Sequence, residues 1–311
     1  MPKRTLEKRI DELRGLRQSP PGPETTGTLK KALEDRSNVI VAQAAKIVGE
    51  LRLEALAGHL IGAFERLIDG GAARDPQCRA KKAIVGALKT MDHSDSAVFV
   101  RGLRHIQMEA VWGGHEDTAA ALRASCALAL VQCSDLRRTD VLRLIVEAFT
   151  DDADSVRADA ARALEQLEGD DAALLLRFKA RVGDAKPRVV GQALESLLNI
   201  EGERALPFVS EFLESRDAEL FEEAALVLGA SRLPEALAIL KTAWKRDRNR
   251  PRGDALLRLI GASRRPEGID FLISLIRDGS DRDASAARKA LEIHRDSREI
   301  QKRVEEALNK S

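Results

Sequence analysis

One stretch, Asp151 to Leu167 (D-D-A-D-S-V-R-A-D-A-A-R-A-L-E-Q-L), constrains the fold more than any other because its pattern recurs along the chain. Within it, the apolar residues Val156, Ala160, Leu164 and Leu167 follow one another at steps of 4, 4 and 3 residues. This spacing places them on one face of an α-helix. Asp151 precedes the first of them by five residues, where a carboxylate can accept hydrogen bonds from free N–H groups at the start of a helix.

Further copies of the pattern predict a helical repeat. Each copy starts with Asp or Ser and places core residues 5, 9, 13 and 16 positions later. The eight copies start at Asp35, Asp75, Asp117, Asp151, Asp184, Ser215, Asp247 and Asp278. The starts are 40, 42, 34, 33, 31, 32 and 31 residues apart. A period in this range is typical of a solenoid, in which each unit buries its apolar stripe against its neighbours.

Segments between the copies predict a second helix in each unit, for example Asp171–Val182. The run D-A-D-S-V-R-A-D-A-A-R-A-L-E-Q-L-E-G-D-D-A-A-L-L-L resembles the HEAT-repeat family, in particular the short variant known from phycobilin lyases. The resemblance covers roughly residues 28 to 310. It implies an all-α fold, a right-handed α-solenoid of about eight helical hairpins. We therefore expect an N-terminal capping helix with a Pro-rich connector at residues 1–27 and a HEAT-like repeat domain at residues 28–311.

The resemblance also implies a ladder of buried basic side chains, each reaching the Asp that starts a neighbouring unit. The position after the first core residue is Lys81, Arg123 and Arg157 in three successive units. In the other units this position holds a residue without a basic side chain, namely Val41, Val190, Phe221, Gly253 or Ala284. The ladder is therefore expected only locally, as a structural feature.

Composition limits the function classes. The chain of 311 residues carries 51 basic and 50 acidic residues, and this balance argues against a dedicated duplex-DNA binder. Tyrosine is absent and aromatic residues make up 3%, so platforms for stacking bases are scarce. No apolar run approaches the ~20 residues of a membrane span. The charged start and three cysteines without a disulfide pattern favour a cytoplasmic protein.

Two longer units contain the most unusual loop. Their extra length lies in residues 61–74 and 92–116, and the second ends in Trp112-Gly-Gly-His115-Glu-Asp117. Insertions in solenoids map to loops or lengthened helices, often beside a binding surface. One interpretation is that Trp112 covers the core and the glycines end a helix. The other is that Trp112 and His115 contact a partner.

Charge is polarised in the second half of the chain. Residues 195–223 carry a net charge of −7 and residues 241–265 a net charge of +7. The basic block contains Trp244-Lys-Arg246-Asp-Arg248-Asn-Arg250, which we place at a join between two helices. It is either a solvated turn neutralised by the acidic unit or a contact for an anionic partner. On the face opposite the core stripe, Lys82, Lys89 and Arg162 give way to glutamates such as Glu195 and Glu222. The groove that these helices line is thus predicted to run from basic to acidic.

Signatures of catalysis and metal binding are missing from the sequence. His93, His105 and His115 are 12 and 10 residues apart and form no metal-ligand pair on a helix. There is no G-x-S-x-G, P-loop or G-x-G-x-x-G motif. We therefore expect no cofactor, no metal site and no catalytic residue.

The leading hypothesis is a non-catalytic scaffold that binds a protein or peptide along its concave face, through Trp112, His115, Lys82, Lys89, Arg162, Trp244, Arg246, Arg248 and Arg250. A first alternative is nucleic-acid binding, including a HEAT-like alkylpurine DNA glycosylase, which Trp112 with Asp117 resembles only locally. A second alternative is a maturation factor related to the phycobilin lyases, suggested only by the repeat length. No membrane association is expected.

Overall fold

The computed structural model describes residues 3–18, 22–231, 233–247 and 250–309. It divides into two compact units, residues 1–167 and 168–311. The first unit contains helices α1 (Lys3–Gly15), α2 (Pro23–Leu33), α3 (Asn38–Glu50), α4 (Ala57–Arg74), α5 (Arg79–Thr90), α6 (Ala97–Leu103), α7 (Ala120–Leu130), α8 (Arg138–Ala148) and α9 (Asp154–Leu167). Strands β1 (Met108–Val111) and β2 (Gly114–Asp117) lie between α6 and α7.

The second unit contains helices α10 (Gly169–Val182), α11 (Pro187–Glu201), α12 (Leu206–Glu211), α13 (Ala218–Ala230), α14 (Pro234–Arg246), α15 (Arg250–Ala262), α16 (Pro266–Asp278), α17 (Asp281–Leu291) and α18 (Arg298–Leu308). Within the described residues, α2 to α9 form four successive hairpins and α10 to α17 form four more. The second helices of consecutive hairpins pack side by side within each unit. Each unit is therefore an α-solenoid, and the predicted fold class is confirmed.

The predicted register is confirmed by burial. Leu130, Leu164 and Leu197, which occupy the same repeat position in three units, are all completely buried. The small residues one turn earlier, such as Ala160 and Ala193, are also completely buried. The apolar stripe of each second helix therefore faces the core along both units, as its period of 3.6 residues requires.

The Asp residues that start the repeat copies lie just before the second helices, and several of them bond backbone N–H groups there. The carboxylate of Asp117 accepts a hydrogen bond from the backbone N–H of Ala119 (3.0 Å), and Asp151 and Asp184 bond the N–H two residues further on in the same way. Each second helix then begins three residues after its Asp or Ser, or four in the case of Asp75. At these three positions the Asp closes a turn that leads into the helix. Asp75 caps the first turn of α5 as the pattern predicts, because its carboxylate accepts hydrogen bonds from the N–H groups of Ala80 (2.9 Å) and Lys81 (3.0 Å).

At the N-terminus, α1 packs against α3 with Leu13 buried, and Arg17 Nε lies 2.7 Å from Glu50 Oε2. Helix α2 begins at Pro23, so it crosses the expected boundary between residues 27 and 28. Residues 19–21 of the Pro-rich connector lie outside the described residues.

The two insertions fold differently. Residues 61–74 belong to the long helix α4, which bends at Gly71 (φ 54°). The second insertion forms helix α6 and the β1–β2 hairpin, a two-stranded ribbon of four residues per strand within the all-α fold. Leu128 of α7 and Val131 directly after it are half-exposed.

Candidate functional site

The β1–β2 hairpin is a short antiparallel ribbon. Met108 pairs with Asp117 and Val111 with Gly114, which leaves Trp112 and Gly113 as the turn. Gly113 has φ 96°, a conformation that residues with a Cβ rarely adopt, and this explains the glycine after Trp112. The tryptophan is fully exposed at the tip. The interpretation of Trp112 as a core cover is therefore wrong.

The hairpin exposes large apolar side chains beside one buried polar residue. Ile106, Met108 and Trp112 are 64%, 55% and 105% exposed, whereas Gln107, just before β1, is buried. Within β1, Val111 is also 43% exposed and Glu109 is half-buried. We call Ile106, Met108 and Trp112 the hairpin face; its first two residues were missed in the sequence, although I-Q-M-E-A-V-W alternates with period 2. His115 is exposed and pairs with Ala110 across the ribbon.

Gln107 anchors the hairpin to the repeats. Its Nε2 donates to the carbonyl oxygen of Asp75 (3.0 Å) and to Glu109 Oε1 (2.7 Å). Its Oε1 accepts a hydrogen bond from Lys81 Nζ (2.8 Å), and its backbone N–H donates to Asp117 Oδ1 (3.1 Å). Because a buried amide without partners would cost about 1–3 kcal/mol, this set of bonds fixes the strand in one position.

Glu109 provides a second anchor. Its carboxylate accepts hydrogen bonds from Thr118 Oγ1 (2.5 Å) and from the backbone N–H of Gln77 (2.6 Å). The Thr118 hydroxyl, with smaller contributions from Gln107 and Gln77, holds the pKa of Glu109 below its ordinary value. The carboxylate therefore stays charged and bonded at neutral pH.

Beneath the hairpin runs the expected ladder of basic side chains. The Lys81 ammonium and the Asp75 carboxylate are both completely buried, 3.6 Å apart. Arg123 reaches both its own Asp117 and the Asp151 of the next unit, each at 2.6 Å, and donates to the carbonyl oxygen of His105 (3.1 Å). The predicted link between neighbouring units is thus seen at Arg123.

The other two ladder residues behave differently. Lys81 pairs within its own unit and also contacts the carbonyl oxygen of Leu67 (3.3 Å). Arg157 donates to the carbonyl oxygens of Asp151 (2.6 Å) and Asp152 (2.9 Å).

A basic groove lies between α3 and α5 and has a volume of about 550 Å³. Its lining includes the cations Lys46, Arg79 and Lys82, which define what we call the basic groove, and the small residues Gly49, Ala83, Gly86 and Ala87. Gln77 also lines it, and the same residue donates its backbone N–H to Glu109 of the hairpin. The groove therefore meets the base of the hairpin at Gln77.

The remaining candidates in the first unit are dispersed. Lys89 is half-exposed on α5, seven residues after Lys82 and thus on the same helix face. Arg162 is exposed on α9 and pairs with Asp159 of its own helix at 2.5 Å. Only Trp112, His115 and Lys82 are thus connected through the hairpin and Gln77.

The candidates of the second unit are less accessible. Trp244 lies within α14 rather than at a join between helices, and its ring packs edge-on against Phe271 at 5.5 Å. It is half-buried, as expected of a residue that covers the core. Arg246 is exposed at the end of α14. Arg248 lies outside the described residues, and Arg250 begins α15 with its side chain undescribed.

Between α13 and α15, the second unit carries an acidic groove of about 350 Å³, which we define by Glu219, Glu222 and Glu223. Burial raises the pKa of Glu223, Arg188 opposes this, and the like charges of Glu195, Glu219 and Glu222 raise it further. The basic groove thus lies in the first unit and the acidic groove, which Arg258 also lines, in the second.

Reactive and metal-binding groups are sparse in the part of the chain that the structure describes. No cluster of three or more His, Cys, Asp or Glu side chains there could hold a metal ion. Cys78, Cys126 and Cys133 are buried free thiols. Burial raises the pKa of Cys78 to about 11 and that of Cys133 to about 12, so neither is a thiolate at neutral pH. No described helix combines the length and hydropathy that crossing a bilayer demands.

Comparison with known proteins agrees with the architecture. Residues 174–260, from α10 into α15, match a family model described as HEAT repeats. The part of this α-helical repeat chain from α10 into α15 is thus similar to HEAT repeats. No curated protein matches it. Among solved structures it is similar to human deoxyhypusine hydroxylase in complex with glycerol, with 17% sequence identity, a TM-score of 0.33, and coverage of 96% of this chain and 93% of that one. This distant similarity says nothing about chemistry.

Proposed function

We propose that the chain is a scaffold that binds an extended segment of a partner protein, and that the hairpin face is its main contact. The observation that carries this proposal is the exposure of Ile106, Met108 and Trp112 on a hairpin that the buried Gln107 anchors to the repeats. Large apolar side chains are normally buried, and exposed ones close together mark interaction sites.

The hairpin is also well suited to binding because it is held rigidly. Gln107 and Glu109 take part in six of the hydrogen bonds described above. Three of the six reach the preceding repeat, at Asp75, Gln77 and Lys81. Binding to a pre-organised surface loses less conformational entropy than binding to a loop that must first be ordered. Trp and Met are enriched at the centres of protein interfaces, and a few such residues usually supply most of the binding free energy.

The test uses a displayed library of random 12-residue peptides selected on the intact chain. Selected peptides are then titrated by fluorescence anisotropy against wild type, Trp112→Ala and the double variant Met108→Ala/Trp112→Ala. We expect Trp112→Ala to weaken binding at least about tenfold, since a central Trp commonly contributes 2 kcal/mol or more. Its thermal stability should match that of wild type, because the side chain has no buried contact to lose.

Leu174→Ala provides the matched control. Leu174 is 65% exposed on α10, so the substitution removes an exposed apolar side chain in the second unit. It should leave peptide affinity unchanged. Selected peptides that bind the double variant as tightly as wild type, or a selection that enriches none, would overturn the proposal.

The cysteines suggest a cellular compartment. Three buried free thiols suit a reducing environment, and we propose that the scaffold works in the cytoplasm.

A further inference from the structure

The three cations of the basic groove have no charged partner within the chain. Lys46 and Arg79 are exposed and Lys82 is half-exposed, and among the described residues none of the three forms an ion pair. Arg104 in the same unit shows the contrast, since its guanidinium pairs with both oxygens of Glu147 at 2.8 and 2.9 Å. The groove therefore presents an unneutralised positive charge.

The one carboxylate in the lining does not offset this charge. Glu50 is engaged by Arg17, whose Nε and Nη2 lie 2.7 and 2.8 Å from its two oxygens. The lining also includes Gly49, Ala83, Gly86 and Ala87, whose small side chains leave the groove open. Space and positive charge thus occur together on one surface.

The groove is continuous with the hairpin. Gln77 lines the groove, and its backbone N–H is bonded to Glu109, the neighbour of Met108 in β1. A segment that places an apolar side chain on the hairpin face can therefore continue toward Lys82 and Arg79. The basic groove and the base of the hairpin thus meet at Gln77.

We infer that the basic groove takes acidic side chains of the segment whose apolar residue binds the hairpin face, an inference that rests on the proposed function. Charge complementarity identifies the occupant as an acidic peptide. A single-stranded nucleic acid would need stacking platforms in addition to positive charge, and none of the groove-lining residues is aromatic. The chain's net charge of +1 also offers no extended positive field for phosphates.

The experiment repeats the peptide selection on wild type and on the variant Lys46→Glu/Arg79→Glu/Lys82→Glu. All three positions are on the surface, so the variant should fold. A neutral variant, Lys46→Gln/Arg79→Gln/Lys82→Gln, repeats the measurement if charge reversal impairs folding. Wild type should enrich peptides with Asp or Glu beside an apolar residue, and these should bind the charge-reversed variant at least about tenfold more weakly. Their affinity for wild type should also fall as the salt concentration rises.

A matched control is Lys30→Glu/Lys31→Glu/Arg74→Glu, which changes the formal charge of the same unit equally at exposed positions outside the groove. It should bind the acidic peptides as wild type does. If wild type enriches apolar peptides without acidic residues, or if groove and control variants behave alike, the inference is overturned while the proposed function stands. If Met108→Ala/Trp112→Ala leaves binding unchanged, the proposed function itself fails. Tighter binding of a labelled 20-nucleotide single strand than of the selected peptides would also overturn the inference.

Discussion

The basic and the acidic groove show how one repeat geometry carries opposite surfaces. Each lies between the second helices of two neighbouring hairpins, α3 and α5 in the first unit and α13 and α15 in the second. The cores beneath them follow the same register, and Ala44 and Ala224, at equivalent positions, are both completely buried. Charge on the outer face is thus independent of the packing that determines the fold.

Glycine at one repeat position brings the helices together in both units. Gly49 and Gly229 each lie fourteen residues after the start of their copy. A Cβ at Gly49 would lie 2.8 Å from Ala87 Cα, and one at Gly229 would lie 3.3 Å from Leu259 Cβ. The approach is closer in the first unit and involves the backbone.

The interiors differ in the residue that follows the first core position. The first unit buries Lys81 and Arg123 there, bound to aspartates. The second unit buries Val190 and Phe221, and Arg252 lies over the Phe221 ring at 4.7 Å. An apolar residue at this position is therefore sufficient for neighbouring hairpins to stack, whereas the ladder of basic side chains has a local structural role. It holds Gln107 and, through it, the hairpin.

The largest expected effect comes from breaking this buried pair. Lys81→Met leaves the carboxylate of Asp75 buried without its lysine and leaves Gln107 Oε1 without its donor. We expect the free energy of unfolding to fall by about 3–5 kcal/mol, as measured by urea denaturation. Hydrogen exchange should also become faster in residues 108–117.

The companion variant is Lys81→Met/Asp75→Asn. Removing both charges should recover part of the loss, because no uncompensated buried charge remains. Val190→Ala serves as the comparison in the second unit, where only apolar contacts are lost and about 1–2 kcal/mol is expected. Equal losses for Lys81→Met and Val190→Ala would show that the ladder has no special role.

A smaller loss of stability tests how closely α3 approaches α5 and how closely α13 approaches α15. Gly49→Ala places its methyl group against backbone that cannot yield without shifting α5, and we expect a loss of about 1–3 kcal/mol. Gly229→Ala meets a side-chain atom at 3.3 Å and should change stability by less than about 1 kcal/mol. Thermal denaturation of both variants measures the difference.

Gly86→Ala is the control for Gly49→Ala, since both glycines line the basic groove. A Cβ at Gly86 meets nothing within 4 Å, so alanine should stabilise α5 by up to about 1 kcal/mol. A Gly49→Ala variant as stable as Gly86→Ala would contradict the tight approach of α3 and α5.

The repeat register was predictable from sequence because it depends on a periodic pattern that packing strictly requires. The starts at Asp151 and Asp184, the buried Leu164 and the position of Arg123 all follow from one template. Even the last two units keep this register, with Leu256 and Ala287 completely buried, although Arg252 and Asp283 stand where the template has apolar residues.

The hairpin was not predictable in the same way. Its strands have four residues each and neither contains a fully buried residue, so no buried stripe of period 2 marks them in the sequence. Trp112 was recognised as unusual, but its exposure depends on the bonds of Gln107 and Glu109 to residues distant in sequence.

Arg79 was missed for a related reason. The chain enters α5 through Gln77 and Cys78, which have φ 59° and 49°, respectively. Left-handed backbone at two successive non-glycine residues has no reliable sequence signal. Trp244 lies in the last turn of α14, and its contact with the Phe271 ring of α16 joins two helices in a way that the sequence does not show.

The smallest expected effect concerns the acidic groove and depends on pH. Burial and the like charges of Glu195, Glu219 and Glu222 raise the pKa of Glu223 above its ordinary value of 4.5, despite Arg188. A raised pKa in the folded state stabilises the fold below the ordinary pKa, and this contribution is lost as the pH rises through the raised value. Glu223→Gln should therefore match wild type below about pH 4.5 and be more stable at neutral pH. Because the side chain is half-exposed, the gain should stay below about 1 kcal/mol.

Glu222→Gln separates this effect from a general loss of negative charge. Glu222 lines the same groove but is exposed, so its substitution should give a smaller gain with weaker dependence on pH. Thermal denaturation of both variants at several values between pH 4 and 8 makes the comparison. Equal gains at all pH values would mean that overall charge, rather than the burial of Glu223, limits stability in this groove. A Glu223→Gln variant less stable than wild type at neutral pH would show that its attraction to Arg188 outweighs burial, and that the acidic groove is neutralised from within, unlike its basic counterpart.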